Sequence, residues 1–175
     1  MPSLTEPMKQ VVLEQKLGFA ATVCPDGTPN LSPKGTTTVW DDDHLLFADI
    51  CSPNTVRNLR ANPAIEINVV DPFGRKGYRF KGTASLLSEG ETYELALKLL
   101  AERGYKATRE RVKTVVIIKV EGAAPLISPA YESGRSEQEI RAQWVDYFDA
   151  VNRSKLVSAA TDPGIDKPDS TVTSG

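Results

Sequence analysis

The sequence predicts a mainly β, α+β fold: a small closed or split antiparallel barrel of roughly six strands with peripheral helices. Two observations carry this. Short strand-like runs succeed one another across tight-turn chemistry, so neighbours in sequence pair as hairpins. Glycine and proline interrupt those runs, as they do where a small sheet curls into a barrel.

Thr5-Glu6-Pro7 opens a first helix, with a capping threonine and then an acid and a proline in the first turn. Met8, Val11, Val12 and Leu17 share a face, and Gly18 is expected to end it. GFAATVC (residues 18–24) is an apolar strand, Pro25-Asp26-Gly27-Thr28 a tight turn, and PNLSPKGTTTV (29–39) the returning strand. Asp41-Asp42-Asp43 reads as a solvated turn, and HLLFADI (44–50) as the third strand. Ser52 then serves as N-cap and Pro53 as first residue of a short helix that Pro63 stops. AIEINVV (64–70) and YRFKGTASLL (78–87) are the fourth and fifth strands, with a loop over 71–77 between them.

Ser88-Glu89-Gly90-Glu91 matches a capping box and starts a helix ending near Gly104. Residues 106–113 are basic and connecting. TVVIIKV (114–120) is the most strand-like run and is expected to be buried on both faces, with extended or irregular chain over 122–129. A second capping box, Ser136 to Glu139, starts a helix over 136–153 with an apolar stripe of Ile140, Trp144, Val145, Phe148 and Val151. From residue 158 large apolar residues run out. The expectation is one domain over 1–157 and a disordered tail over 158–175.

The bulk numbers are those of a globular chain: 175 residues, 40% hydrophobic and 25% charged. A net charge of −2 predicts no general attraction to nucleic acid or anionic lipid. No apolar run has membrane-spanning length and the first residues lack a signal-peptide core, so a cytoplasmic protein is expected. Cys24 and Cys51 are expected to be reduced. The single histidine, His44, argues against a zinc or other metal site.

The chemistry gathers between Pro29 and Asn58. On the second strand Leu31, Pro33, Gly35, Thr37 and Val39 share one parity, and Ser32, Lys34, Thr36 and Thr38 the other. A wholly polar face ordinarily faces water; the sharper alternative is a face that meets a ligand. Pro33 marks an edge or bulge, and Gly35 permits close approach to the backbone. The helix start near Ser52 and Thr55 offers unpaired N–H groups and a partial positive charge, which suit an anion. Cys51 beside it is read as buried and inert rather than reactive. Arg57 is divided between solvent and phosphate, and Trp144 and Tyr131 belong to packing before ligand contact. No paired acids or Ser-His-Asp set stands out, so no catalytic residue is assigned.

The runs GFAATVCPDGTPNLSP, KGTTTVWDDDHLLFAD, SPNTVRNLRANPAIEINVVDP and RFKGTASLL, with the later TVVIIKVEGAA and SPAY, resemble the split-barrel flavin-binding proteins related to pyridoxamine 5′-phosphate oxidase. The resemblance spans about Leu4 to Tyr131, and S-x-x-T-x-x-N-L-x-x-N-P directly before a strand is its most telling piece. It implies a six-stranded Greek-key split barrel, a homodimer, and FMN at the subunit interface. It further implies phosphate and ribityl contacts from Ser32, Lys34, Thr36, Thr37, Asn54, Thr55 and Asn58, with Pro33, Gly35, Ser52 and Arg57 beside them. Many relatives carry a lysine or arginine where this chain has Asn54; Lys34 or Arg57 would then supply the charge. The implied activity is an FMN-dependent oxidoreductase working between NAD(P)H and a small substrate. The alternatives are a non-catalytic electron carrier and an F420-dependent reductase, with haem least favoured. The C-terminal helix departs from the oxidase's substrate-binding end, so pyridoxamine phosphate is not assigned.

Overall fold

The computed structural model describes residues 3–161. Its elements are α1 (Glu6–Gln15), β1 (Gly18–Val23), β2 (Pro29–Lys34), β3 (Thr38–Val39), β4 (His44–Asp49), α2 (Pro53–Ala61), β5 (Ala64–Asp71), β6 (Lys76–Leu87), α3 (Glu91–Glu102), β7 (Thr114–Ile127) and α4 (Glu137–Thr161). All strands join one antiparallel sheet in the order β2-β1-β5-β6-β7-β4-β3.

The sheet order itself demands curvature. β2 and β3 are its two outer strands, yet only Gly35, Thr36 and Thr37 separate them in sequence. Seven flat strands would put the edges about 29 Å apart at the usual strand spacing. The connecting peptides reach about 15 Å at most. The sheet therefore curls until its edges approach, which is a split barrel.

Seven strands stand where six were expected. The run 29–39 breaks in two because Thr37 turns the chain back: its N–H and its hydroxyl donate to the Lys34 carbonyl at 3.2 and 2.8 Å. β7, in contrast, is one 14-residue strand rather than a short strand with an irregular continuation. β6 supplies partners from Leu87↔Val115 to Lys76↔Ile127, and a register shift at Lys81/Gly82 absorbs one extra residue. The loop expected over 71–77 contracts to a turn, since Asp71 pairs with Lys76 and its Oδ1 accepts from the N–H groups of Phe73 and Gly74.

β4 is buried on both faces. Leu45 and Phe47 pack inward with Val12, Ile67, Phe80, Val116 and Ile118. Leu46 and Ala48 point the other way, under Tyr93, Ala96 and Leu100 of α3. Full burial of each such side chain contributes about 1.5–3 kcal/mol.

Three helix boundaries differ from expectation. Lys16, at φ 53°, takes the left-handed position after α1, and Gly18 instead starts β1. Gly18 is required by crowding: a Cβ there would sit 2.6 Å from Thr37 Oγ1. The first capping box does not form, since α3 begins after Gly90 at φ 94° with no side-chain cap. The second does: Ser136 N–H donates to Glu139 Oε2 at 2.8 Å, and Glu139 N–H to Ser136 Oγ at 3.3 Å. α4 runs to Thr161 rather than about Arg153. The rest of the expected tail, 162–175, lies outside the described residues. Among the described residues no helix is long and apolar enough to cross a membrane.

Candidate functional site

The polar side of β2 faces inward, opposite to a solvated face. Hydrogen-bonded pairing sets Ser32 opposite Ala20 and Lys34 opposite Gly18, and directly paired residues share a face. Ala20 is fully buried, so Ser32 and Lys34 turn inward with it, and Leu31 is left 66% exposed.

Lys34 is only 3% exposed. Its Nζ donates to Ser32 Oγ at 2.6 Å, Ser52 Oγ at 2.7 Å and Thr55 Oγ1 at 3.2 Å. It also stands 5.6 Å from the centroid of the Phe47 ring. All three acceptors are neutral hydroxyls. Burial pushes the Lys34 pKa below the ordinary lysine range, and the negative charge of Asp49 pulls it partly back.

The start of α2 meets this ammonium. Ser52 occupies the N-cap but makes no side-chain cap to the helix, because its hydroxyl accepts from Lys34 instead. Its N–H is spent on Asp49 Oδ1 at 2.8 Å. The first-turn N–H groups are thus left without a capping side chain, next to a buried cation.

Of the residues singled out in the sequence, Ser32, Lys34, Ser52 and Thr55 are brought together. Asn54 and Arg57 are exposed on α2. Gly35 is exposed, with nothing within 4 Å of where a Cβ would be, so no close approach explains it. Pro33 faces outward, paired with Phe19. Three others serve the scaffold. Thr36 Oγ1 accepts from Ala48 N–H at 2.9 Å and donates to its carbonyl at 3.3 Å. The Thr37 hydroxyl closes the turn below Gly18. Asn58 Nδ2 donates to Thr22 Oγ1 at 3.1 Å and to Cys24 Sγ at 3.4 Å, while its buried Oδ1 has no partner among the described residues.

Sequence reasoning missed Asp49, the buried carboxylate that orients Ser52 and faces Lys34. An acid ending the apolar run HLLFAD, separated by three residues from the proline that opens a helix, was the available signal. Cys51 is exposed. Trp144 and Tyr131 pack within the chain: the Arg75 guanidinium lies 4.3 Å from the Trp144 centroid, and the Tyr131 hydroxyl donates to the Gly74 carbonyl at 2.6 Å.

A curled antiparallel barrel defines a split-barrel protein, and one of its edges sets a buried cation beside an uncapped helix start. The chain belongs to the pyridoxamine 5′-phosphate oxidase family, which it matches over residues 4–126. It is 31% identical over 121 residues to an uncharacterized protein of Methanocaldococcus jannaschii, covering 67% of this chain and 76% of that one. The crystal structure of HupZ from Group A Streptococcus aligns at 37% identity and TM-score 0.63, covering 71% of this chain and 95% of that chain. The fold alone is shared with an F420 reductase (20% identity, TM-score 0.54, 69% and 98% covered) and with an FMN-binding protein from Syntrophomonas wolfei (17%, 0.54, 68% and 84%). α4 lies beyond the family match.

Proposed function

We propose that the groove headed by β2 and the start of α2 holds a flavin nucleotide, FMN, and that the chain is an oxidoreductase passing hydride or electrons between NAD(P)H and a small substrate. Lys34 carries the reading. A buried ammonium whose hydrogen-bond acceptors among the described residues are all hydroxyls, 2.6–3.2 Å away, gains from an anion more than an exposed lysine does. Lys34, Ser52, Thr55 and the first-turn amides of α2 would take the phosphate, and Asn54 and Arg57 flank it. Asp49 offsets part of the lysine charge while holding Ser52 in place. The residues present fit one phosphate group with a single buried cation.

Bound FMN supplies the redox chemistry. The chain's own residues bind and orient it: Ser32, Ser52 and Thr55 fix the ammonium, and Phe47 walls one side of the stem. F420 is the alternative occupant of the same groove, in keeping with the fold shared with an F420 reductase.

A homodimer belongs to the same proposal. The outer face of the β1–β2 hairpin leaves Phe19 and Val23 each 40% and Leu31 66% exposed. The register sets Pro33, Leu31 and Pro29 beside Phe19, Ala21 and Val23, so these apolar groups form one continuous face. A second copy would cover it.

The test is the absorption spectrum of the purified protein before and after adding FMN or F420, followed by NADH and NADPH. FMN binding with bleaching by a nicotinamide supports the oxidoreductase. Binding without bleaching makes the chain a carrier. No binding of either flavin removes the proposal.

A further inference from the structure

We propose that a second cavity, under the segment 103–113, binds a small organic anion: a phosphate or carboxylate carried on an apolar or aromatic body. The cavity measures about 260 Å³, and its walls include Thr36, Ile50, Tyr105, Lys106, Arg111 and Val112. That is too small for a flavin or a dinucleotide and suits a single ring bearing an anionic group.

Charge and apolar surface coincide here. The segment carries Arg103, Lys106, Arg109, Arg111 and Lys113 against one acid, Glu110, in a chain whose net charge is −2. Arg109 is engaged by Glu94 at 2.5 Å. Lys106 and Arg111, the two that line the cavity, make no ion pair among the described residues. A basic loop kept only for solubility needs no cavity; this one borders a cavity whose wall includes Ile50, an apolar side chain left 38% exposed. Tyr105 adds a donor. Burial pushes its pKa up, and its hydroxyl has no hydrogen-bond partner among the described residues.

The walls are held in place. Tyr105 N–H donates to the Leu100 carbonyl at 3.0 Å, Arg111 and Val112 N–H to the Thr108 carbonyl at 3.0 and 2.9 Å, and the Tyr93 hydroxyl to the Val112 carbonyl at 2.8 Å. Such a preformed cavity lowers the ordering cost of binding. Its walls share no residue with the Lys34, Ser52 and Thr55 cluster, though Thr36 and Ile50 lie two residues along the chain from Lys34 and Ser52 respectively. The cavity does not depend on a flavin occupying that groove.

The probe is phenyl phosphate, with benzoate, inorganic phosphate and benzyl alcohol titrated separately into the full chain by calorimetry. Phenyl phosphate or benzoate should bind more tightly than inorganic phosphate and than benzyl alcohol, and added salt should weaken that binding. The paired substitutions Lys106→Gln and Arg111→Gln should weaken it at least tenfold, at unchanged far-ultraviolet circular dichroism. Lys119→Gln, an exposed charge elsewhere on β7, should leave it unchanged. Whichever of phenyl phosphate and benzoate binds tighter names the anionic group. Wild-type affinity in the doubly substituted chain overturns the proposal, as does equal binding of benzyl alcohol or of inorganic phosphate. Absence of millimolar binding by both aromatic anions overturns it too.

Discussion

Lys34 Nζ donates to Ser52 Oγ at 2.7 Å, joining the end of β2 to the first turn of α2. One contact does two things. It spends the hydroxyl that would have capped the helix, and it sets a buried positive charge beside the amides thereby left open.

Loss of that charge should be read in FMN binding. Lys34→Ala combined with Thr55→Ala removes the cation and one of its hydroxyl partners. A charge-assisted contact contributes about 1.5–3 kcal/mol, so affinity for FMN should fall roughly 10- to 100-fold. Fluorescence titration measures it, and retained affinity takes these residues out of the site.

The same lysine predicts a pH effect on stability. Burial lowers its pKa below 10.5, so the unfolded chain holds the proton to higher pH than the folded chain does. Stability should therefore rise as pH climbs through the window just below 10.5. Lys34→Met lacks this gain. In urea titrations across that window, the wild type should gain on the variant with increasing pH; a constant difference contradicts the assignment.

Glycines in the sheet should respond unequally. A Cβ on Gly82 would lie 2.0 Å from the Lys119 carbonyl oxygen, a backbone atom across the β6–β7 bulge. Gly82→Ala should cost about 1–3 kcal/mol or more, and Gly35→Ala, where nothing lies within 4 Å, close to nothing. Thermal denaturation of the two variants tests the contrast.

Asp71 anchors the β5–β6 turn and the start of α4. Burial pushes its carboxyl up, but the Gly74 N–H, Arg141 and the Phe73 N–H outweigh burial and hold it below the ordinary carboxylate range. Its contribution is thus present above the unfolded-state value of about 3.9 and is lost as pH falls through the lower folded value. Asp71→Asn should destabilise by about 1–3 kcal/mol at pH 7, with the gap to wild type closing in acid. A gap that persists at pH 2–3, judged by denaturant titration, would place the effect elsewhere.

Leu31→Glu puts a charge at the centre of the apolar hairpin face. The proposed dimer should dissociate, so that sedimentation equilibrium reports the 19.1 kDa chain instead of twice that mass. A wild-type chain already monomeric at micromolar concentration refutes the dimer.

Much of the fold was legible because it is local. Turn chemistry at Pro25–Thr28, the proline that opens α2 and the box at Ser136–Glu139 each act within a few residues of chain, and pattern reading finds such signals. The first capping box failed for the same kind of reason: Gly90, with its left-handed backbone, competed with Ser88 for the helix start and won.

The antiparallel strands, their hairpins and the family resemblance could be read from the residues alone, and the meeting of β2 with a helix start was an expectation from that resemblance. The three-dimensional packing was needed to learn which way β2 faces, that Thr36, Thr37 and Asn58 serve backbone and core, and that Asp49 stands opposite Lys34. Those outcomes depend on register. A strand's alternation marks two faces but not which one is inside, and that choice is made by Gly18 and Ala20 on the neighbouring strand and by the curl that brings distant edges together.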